Sequence, residues 1–171
     1  MENELSIRQY RSDDQKHVLQ LHVEPMVDVD AFVEGDDKLD ADLEDIELAY
    51  LDRGGDFLVG EINGQIAAMG AYKPPSEYFT QFLGDLPEET AEITRMRVAS
   101  ESQGQGFGEK IYDELEHRAR NDGFETLILD TTHRQKAAQG LYEKKDFREI
   151  ERQDVEFDDD RFTMIFYKKS L

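Results

Sequence analysis

Glu92-Ile93-Thr94-Arg95-Met96-Arg97-Val98, then Gln103-Gly104-Gln105-Gly106-Phe107-Gly108, then the run from Glu109 to Asn121 form the stretch on which the fold turns. Ala91 to Val98 predicts a β-strand. Ile111, Leu115 and Ala119 recur four apart, so Glu109 to Asn121 predicts an amphipathic helix, which Gly123 ends. Between strand and helix, three glycines at alternate positions strip the Cβ atoms from one side of the turn. Consecutive backbone N–H groups there can converge on an anion at the positive end of the helix dipole. The turn is not a Walker A loop, because no Gly-Lys-Ser/Thr follows. Nor is it the dinucleotide fingerprint, since its spacing is G-x-G-x-G and the preceding elements are antiparallel. Taken alone, the glycine cluster fits a flexible turn as well as a phosphate cradle.

Downstream, Thr126 to Leu129 reads as a short strand, Gln135 to Lys145 as a helix with Ala138, Leu141 and Tyr142 inward, and Phe147 to Phe157 with Arg161 to Tyr167 as a hairpin. Upstream, Phe57 to Ile62 and Gln65 to Tyr72 flank Asn63-Gly64, a turn pair that accepts positive φ at both positions and so predicts a second hairpin. Leu5 to Tyr10 predicts a first strand. Ser12 with Gln15 forms a capping-box pattern that opens a short helix. Leu39, Leu43, Ile46 and Tyr50 place another helix over Asp40 to Leu51. Pro74-Pro75, Gly84 and Pro87 make Lys73 to Glu89 a long loop. The strand-helix-strand passage through residues 91–131 predicts two neighbouring parallel strands with a right-handed crossover in an otherwise antiparallel sheet. No repeat or linker interrupts residues 1–171, which predicts one domain.

With 20 Lys+Arg against 40 Asp+Glu, the 171-residue chain carries a net charge of −20. Such a surface repels phosphate backbones and anionic headgroups, which argues against nucleic-acid and membrane partners. Ten Phe and seven Tyr supply apolar material for a core, and the absence of cysteine removes disulfides, thiolate metal sites and a cysteine nucleophile. His17, His22, His117 and His133 show no ligand spacing suited to a metal. With no apolar leader or span, a soluble cytoplasmic protein is expected. The charge is uneven. Glu24 to Asp56 holds 13 acidic and 2 basic residues, whereas Glu92 to Leu171 holds 18 and 14. Adaptation to high salt, a plain solvated helix face, or an acidic rim that attracts a cationic substrate each account for the first segment.

The run 92–98, the glycine turn, Gly123-Phe124, Leu127 to Thr131, Ala138, Leu141-Tyr142-Glu143 and Phe147 together resemble the GNAT superfamily of N-acetyltransferases. The likeness is tight over about residues 91–150 and loose over the element order elsewhere. It implies an α/β (α+β) three-layer fold: a mixed, mostly antiparallel sheet of about seven strands, helices on both faces, and a splayed parallel pair at the cofactor site. It further implies an acetyl-CoA-dependent enzyme that acetylates a primary amine, of a small molecule or a protein, by direct attack in a ternary complex. Under the resemblance, Met96, Arg97 and Val98 lie on the strand whose main chain pairs with the pantetheine arm. Gln103, Gly104, Gln105, Gly106, Phe107 and Gly108 hold the pyrophosphate. Gln135 stands where an Asn often contacts the cofactor, and Ala138 lies on the helix that closes its far side. Tyr142 matches the acid that protonates the departing thiolate, and Glu92 a common position for the base. The chemistry requires such groups, because an ammonium must lose a proton before attack and a tetrahedral oxyanion needs N–H donors, here near Val98. No metal is called for.

Each residue also has a structural reading. Tyr142 suits a helix-face core position, and Glu92 a surface carboxylate. Arg95 and Arg97 alternate with Thr94, Met96 and Val98, which places them on the face opposite Glu92 and suits them to salt bridges. Tyr72 and Tyr78 flank the long loop, as acceptor-pocket lining or ordinary packing, and His133 is a loop histidine near the cofactor or in solvent. The family's Gly-Phe reads Asp146-Phe147 here, and aspartate tolerates the left-handed conformation required after a helix. From another functional class, a CoA-binding sensor or subunit without catalysis also fits. Exposed strands at the C-terminal hairpin leave room for a homodimer, and the acceptor itself has no signature.

Overall fold

The computed structural model describes residues 4–28, 40–157 and 159–171. Seven strands form one sheet in the order β1-β2-β3-β4-β5-β7-β6. These are β1 (Ser6–Gln9), β2 (Asp56–Ile62), β3 (Gln65–Lys73), β4 (Thr90–Val98), β5 (Thr126–Thr132), β6 (Arg148–Phe157) and β7 (Asp160–Ser170). All neighbours are antiparallel except β4 and β5. The mixed α/β sheet with helices on both faces is therefore the architecture expected. Asn63 and Gly64, at φ 52° and 78°, make the β2–β3 turn. Asp146 takes φ 69° in the turn before β6, the conformation its position demands.

The helices are α1 (Gln15–Asp28), α2 (Ile46–Ala49), α3 (Glu77–Leu83), α4 (Phe107–Asn121) and α5 (Lys136–Lys144). Helices α4 and α5 cover one face, where Ile111, Leu115, Tyr142 and Phe147 join Leu58, Tyr72, Ile93, Leu127 and Ile165 in a continuous core. Gly70 lies beneath α4. A Cβ there would come within 2.5 Å of the Met96 sulfur and 2.7 Å of Ile111, so glycine lets the helix close on the sheet. The opposite face carries two separate clusters. One gathers Val18, Leu21, Leu43, Ile46 and Tyr50 over Phe57, Val59, Met69 and Ala71, and the other seats Phe79 of α3 on Ile128 and Phe166.

Several local expectations change. The segment 73–89 contains α3, whose aromatic side chains dock on the sheet despite the flanking prolines. The helix expected over Asp40 to Leu51 is broken into a 3-10 turn at Ala41–Leu43, the short α2, and a 3-10 turn at Leu51–Arg53. At the start of the first helix, Asp14 rather than Gln15 accepts from the Arg11 N–H (2.8 Å), while Gln15 bonds Tyr10 and the Leu43 carbonyl. Strand β5 runs three residues beyond Leu129. Within the acidic stretch, residues 29–39 lie outside those described.

Candidate functional site

Strand β4 determines the geometry of the site. It pairs with β5 only through Thr90, Ala91 and Glu92, opposite Thr126, Leu127 and Ile128. Beyond that point β5 stays with β7 as far as Thr132, whereas β4 stays with β3. A V-shaped opening results, bordered by the main chain of Ile93 to Val98. A bulge in the β3–β4 register sits between Met69 and Ala71, and Arg95 takes φ 58° there. A non-glycine residue in this conformation costs about 1–2 kcal/mol. Arg95 offsets that cost through its guanidinium, which grips Asp42, with Nε to Oδ2 at 3.0 Å, and reaches Asp40 at 3.1 Å.

The extra residue reverses the facing of everything after it. Met96 and Val98 pack into the α4 core, while Arg95 and Arg97 turn to the face that carries Glu92. The strict alternation read from the sequence placed them on the opposite face. Tyr50 and Arg95 both bond Asp42. Burial works to raise the Asp42 carboxyl, yet these donors hold it below its usual value.

Glu92 is 5% exposed. Its Oε1 accepts from Ser76 Oγ at 3.0 Å, and its Oε2 lies 3.9 Å from Lys73 Nζ. Burial, opposed by Lys73 and reinforced by Asp130, pushes it up to about 7. Asp130 lies two residues past Ile128, the register partner of Glu92, and so on the same sheet face. Burial raises its carboxyl against the Tyr78 hydroxyl and the charges of Arg95 and Arg97. Burial and the adjacent Arg95 charge bring Arg97 down to about 10, so it stays cationic at neutral pH. Arg97 Nη1 donates to the Met96 carbonyl at 2.7 Å. Tyr142 comes from the other side of the opening on α5, 5% exposed and in edge contact with Phe147. Burial raises its hydroxyl, Arg97 lowers it and Asp130 raises it further, so it remains protonated. The Asp130 charge acts on both Tyr142 and Glu92.

The glycine turn lies at the far end of β4. Gly104 and Gly106 take φ 78° and 81°, and a Cβ on either would meet open space. Gly106 caps α4. Among the described residues, the Gly104 to Gly108 amides have no backbone partner, while the Gln103 side chain donates to the Val98 carbonyl at 3.1 Å and ties the turn to the strand. Phe107 is buried in the core, so only its amide faces the turn. At Gly108 a Cβ would make ordinary contact with Val98 at 3.6 Å and Leu141 at 3.9 Å, where α4, β4 and α5 meet. Gln135 Oε1 accepts from Thr131 Oγ1 at 2.9 Å and from the Thr132 N–H at 3.1 Å. Ala138 is half-buried against the core.

Other candidates sort by geometry. Tyr72 is fully buried on the α4 face with its hydroxyl on Asp122, away from the cleft. Tyr78 reaches the cleft. His133 Nδ1 accepts the Thr163 N–H at 3.0 Å. It lines a separate groove of about 420 Å3 with Asp154, Arg161 and Phe162. Asp130, Ser76 and Lys73 escaped sequence reading because their proximity depends on strand register and on α3. Among the described residues no group of three or more His, Cys, Asp or Glu side chains could hold a metal ion, and no helix is long and apolar enough to cross a membrane.

These features define an α/β protein with an open strand cleft leading to a helix terminus whose amides lack backbone partners. The chain belongs to the acetyltransferase (GNAT) family, whose family model matches residues 17–147. It is 31% identical over 114 residues to N-acetyltransferase family 8 member 2 of Rattus norvegicus, covering 64% of this chain and 46% of that protein. It is 27% identical over 111 residues to human N-acetyltransferase 8B, with the same coverages of 64% and 46%. The chain thus spans about half the length of these relatives. Among solved structures, a GNAT-family acetyltransferase of Staphylococcus aureus Mu50 superposes with a TM-score of 0.77 at 21% identity, covering 98% of this chain and 99% of that one. The yncA protein of Salmonella typhimurium, solved with its cofactor acetyl-CoA, gives 0.77 at 20% identity, covering 98% and 94%.

Proposed function

We propose that the protein is an acetyl-CoA-dependent N-acetyltransferase that acetylates a primary amine by direct attack in a ternary complex. The observation that carries this reading is the opening between β4 and β5, which leads from the buried carboxylate of Glu92 to the unpaired amides of the glycine turn. Those amides and the α4 terminus suit a pyrophosphate, with Gln103 to Gly108 around it. The free edge of Met96, Arg97 and Val98 suits a pantetheine arm laid down as an extra strand, and Ala138 on α5 walls its far side. Bound acetyl-CoA supplies the activated thioester.

Glu92, poised near neutrality, takes a proton from the acceptor ammonium. The freed nitrogen lone pair forms the C–N bond at the thioester carbon, with main-chain N–H near Val98 facing the developing oxyanion. As the C–S bond breaks, the nitrogen loses its second proton to solvent, and the Tyr142 hydroxyl gives its proton to the thiolate and is reprotonated from solvent. Net, ammonium and thioester yield amide, free thiol and one proton. Thiol release with acetyl-CoA over a panel of primary amines tests this. Saturable turnover is expected. Tight CoA binding with no turnover on any amine identifies a binding module instead.

A further inference from the structure

Lys73 ends β3 directly opposite Glu92, and cross-strand partners in an antiparallel ladder share a face. Glu92 is also the last β4 residue paired with β5, so the two stand at the apex of the opening. The Lys73 side chain is 12% exposed, with Nζ 3.9 Å from Glu92 Oε2 and 5.3 Å from the centre of the Tyr50 ring. At that distance the ammonium is outside hydrogen-bond range of the carboxylate, and among the described residues it donates to no other group. Ser76 instead holds the other Glu92 oxygen. Lysines further off are committed to other partners, Lys144 and Lys145 to Glu109 and Lys169 to Glu116. The fold therefore brings a primary amine of its own to the carboxylate assigned as base.

We infer that Lys73 is a self-acetylation site: with acetyl-CoA bound and no acceptor present, its amine receives the acetyl group. This rests on the proposed acetyltransferase reading. Glu92 takes one proton from the Lys73 ammonium, and the freed lone pair forms the C–N bond at the thioester carbon. The C–S bond breaks, the nitrogen loses a second proton to solvent, and the thiolate takes up one proton. Lysine ammonium and thioester thus yield N-acetyl-lysine, free thiol and one proton. A tethered amine competes at high effective concentration, so Lys73 reacts where a free amine is scarce. Its flexible four-carbon stem supplies the travel. Among the described residues Lys73 carries the one lysine charge within 4 Å of Glu92, so the modification alters the site that makes it.

The test incubates the full chain with deuteroacetyl-CoA and no added amine, then locates the label by peptide mass mapping. Lys73 is expected to carry at least tenfold more label than Lys144, whose side chain is 63% exposed and which reports plain chemical acetylation. Heat-denatured chain is expected to label both lysines alike. Glu92→Gln is expected to slow labelling of Lys73 at least tenfold and to leave Lys144 within twofold; the wild-type comparison of the two lysines stands even where that variant misfolds. No label at Lys73, equal label on both lysines of the native chain, or labelling of Lys73 that ignores Glu92→Gln overturns the inference. Turnover of free amines with Lys73 unlabelled overturns it and leaves the transferase reading standing. CoA binding with transfer to neither sinks both.

Discussion

The two faces of the sheet are built to different rules. Beneath α4 and α5 the core is continuous from Leu5 to Tyr167, and β3, β4, β5 and β7 all contribute apolar side chains to it. Beneath α1, α2 and α3 the apolar surface is divided into two clusters. Glu92, Lys73, Asp130, Arg95 and Arg97 occupy the division. One face supplies stability through burial at roughly 25 cal/mol per Å2. The other gives up part of that burial to hold charges at shifted affinities for protons. The difference sets a charged interior on the second face against an apolar scaffold on the first, where Tyr142 belongs to the core.

Glu92→Gln breaks the contrast most sharply. Turnover is expected to fall about 10²- to 10⁴-fold, the range for loss of a general base. The acidic limb of the wild-type rate profile is expected near pH 7, because Glu92 must be ionised to act and burial holds it protonated below that value. A profile unchanged in the variant removes Glu92 from the role. The same substitution acts on stability with the opposite sign. A carboxyl raised in the folded state stabilises the fold at low pH and loses that contribution as pH rises from its unfolded value through about 7. Thermal unfolding at pH 8 should therefore show the Gln variant more stable than wild type by about 1–3 kcal/mol, with the advantage gone at pH 4.

Gly106→Val places a β-branched residue at φ 81° in the amide cradle, and CoA affinity measured by calorimetry should drop at least about 100-fold, by the removal of several charge-assisted contacts. Tyr142→Phe should lower turnover about 10- to 100-fold while acetyl-CoA affinity stays within about twofold. On the scaffold face, Ile111→Ala should cost about 2–5 kcal/mol in denaturant unfolding with CoA affinity retained, since the side chain is fully buried. The smallest effect concerns the acidic excess: raising potassium chloride to molar concentration should lift the melting temperature by a few degrees by screening the −20 charge. No rise removes salt adaptation as its explanation. Asp40 and Asp42 of the acidic segment already pair internally with Arg95, so they serve the site's interior.

The legible elements were those whose signals are local. Asn63-Gly64 specified its hairpin through turn chemistry, and the glycine turn with Ile111, Leu115 and Ala119 specified a strand, a loop and a helix through positive φ and period. Helix α3 was hidden because its propensity is poor among prolines, and its stability comes from Phe79 meeting Ile128 and Phe166, residues far along the chain. The bulge at Arg95 was equally invisible, since a bulge is a property of two strands in register. Strict alternation puts Arg95 and Arg97 opposite Glu92, and the bulge turns them to its side.

From the sequence alone came the sheet class, the parallel β4–β5 crossover, the glycine turn and the residue types suited to acyl transfer, because periodicity, turn preference and charge are written locally. Tertiary structure decided that Glu92 is buried and pushed up to about 7, that Asp130 shares its sheet face, that Tyr72 is core, and that Gln135 Oε1 bonds its own turn. Burial and neighbouring charge are three-dimensional quantities, and proton affinity follows from them.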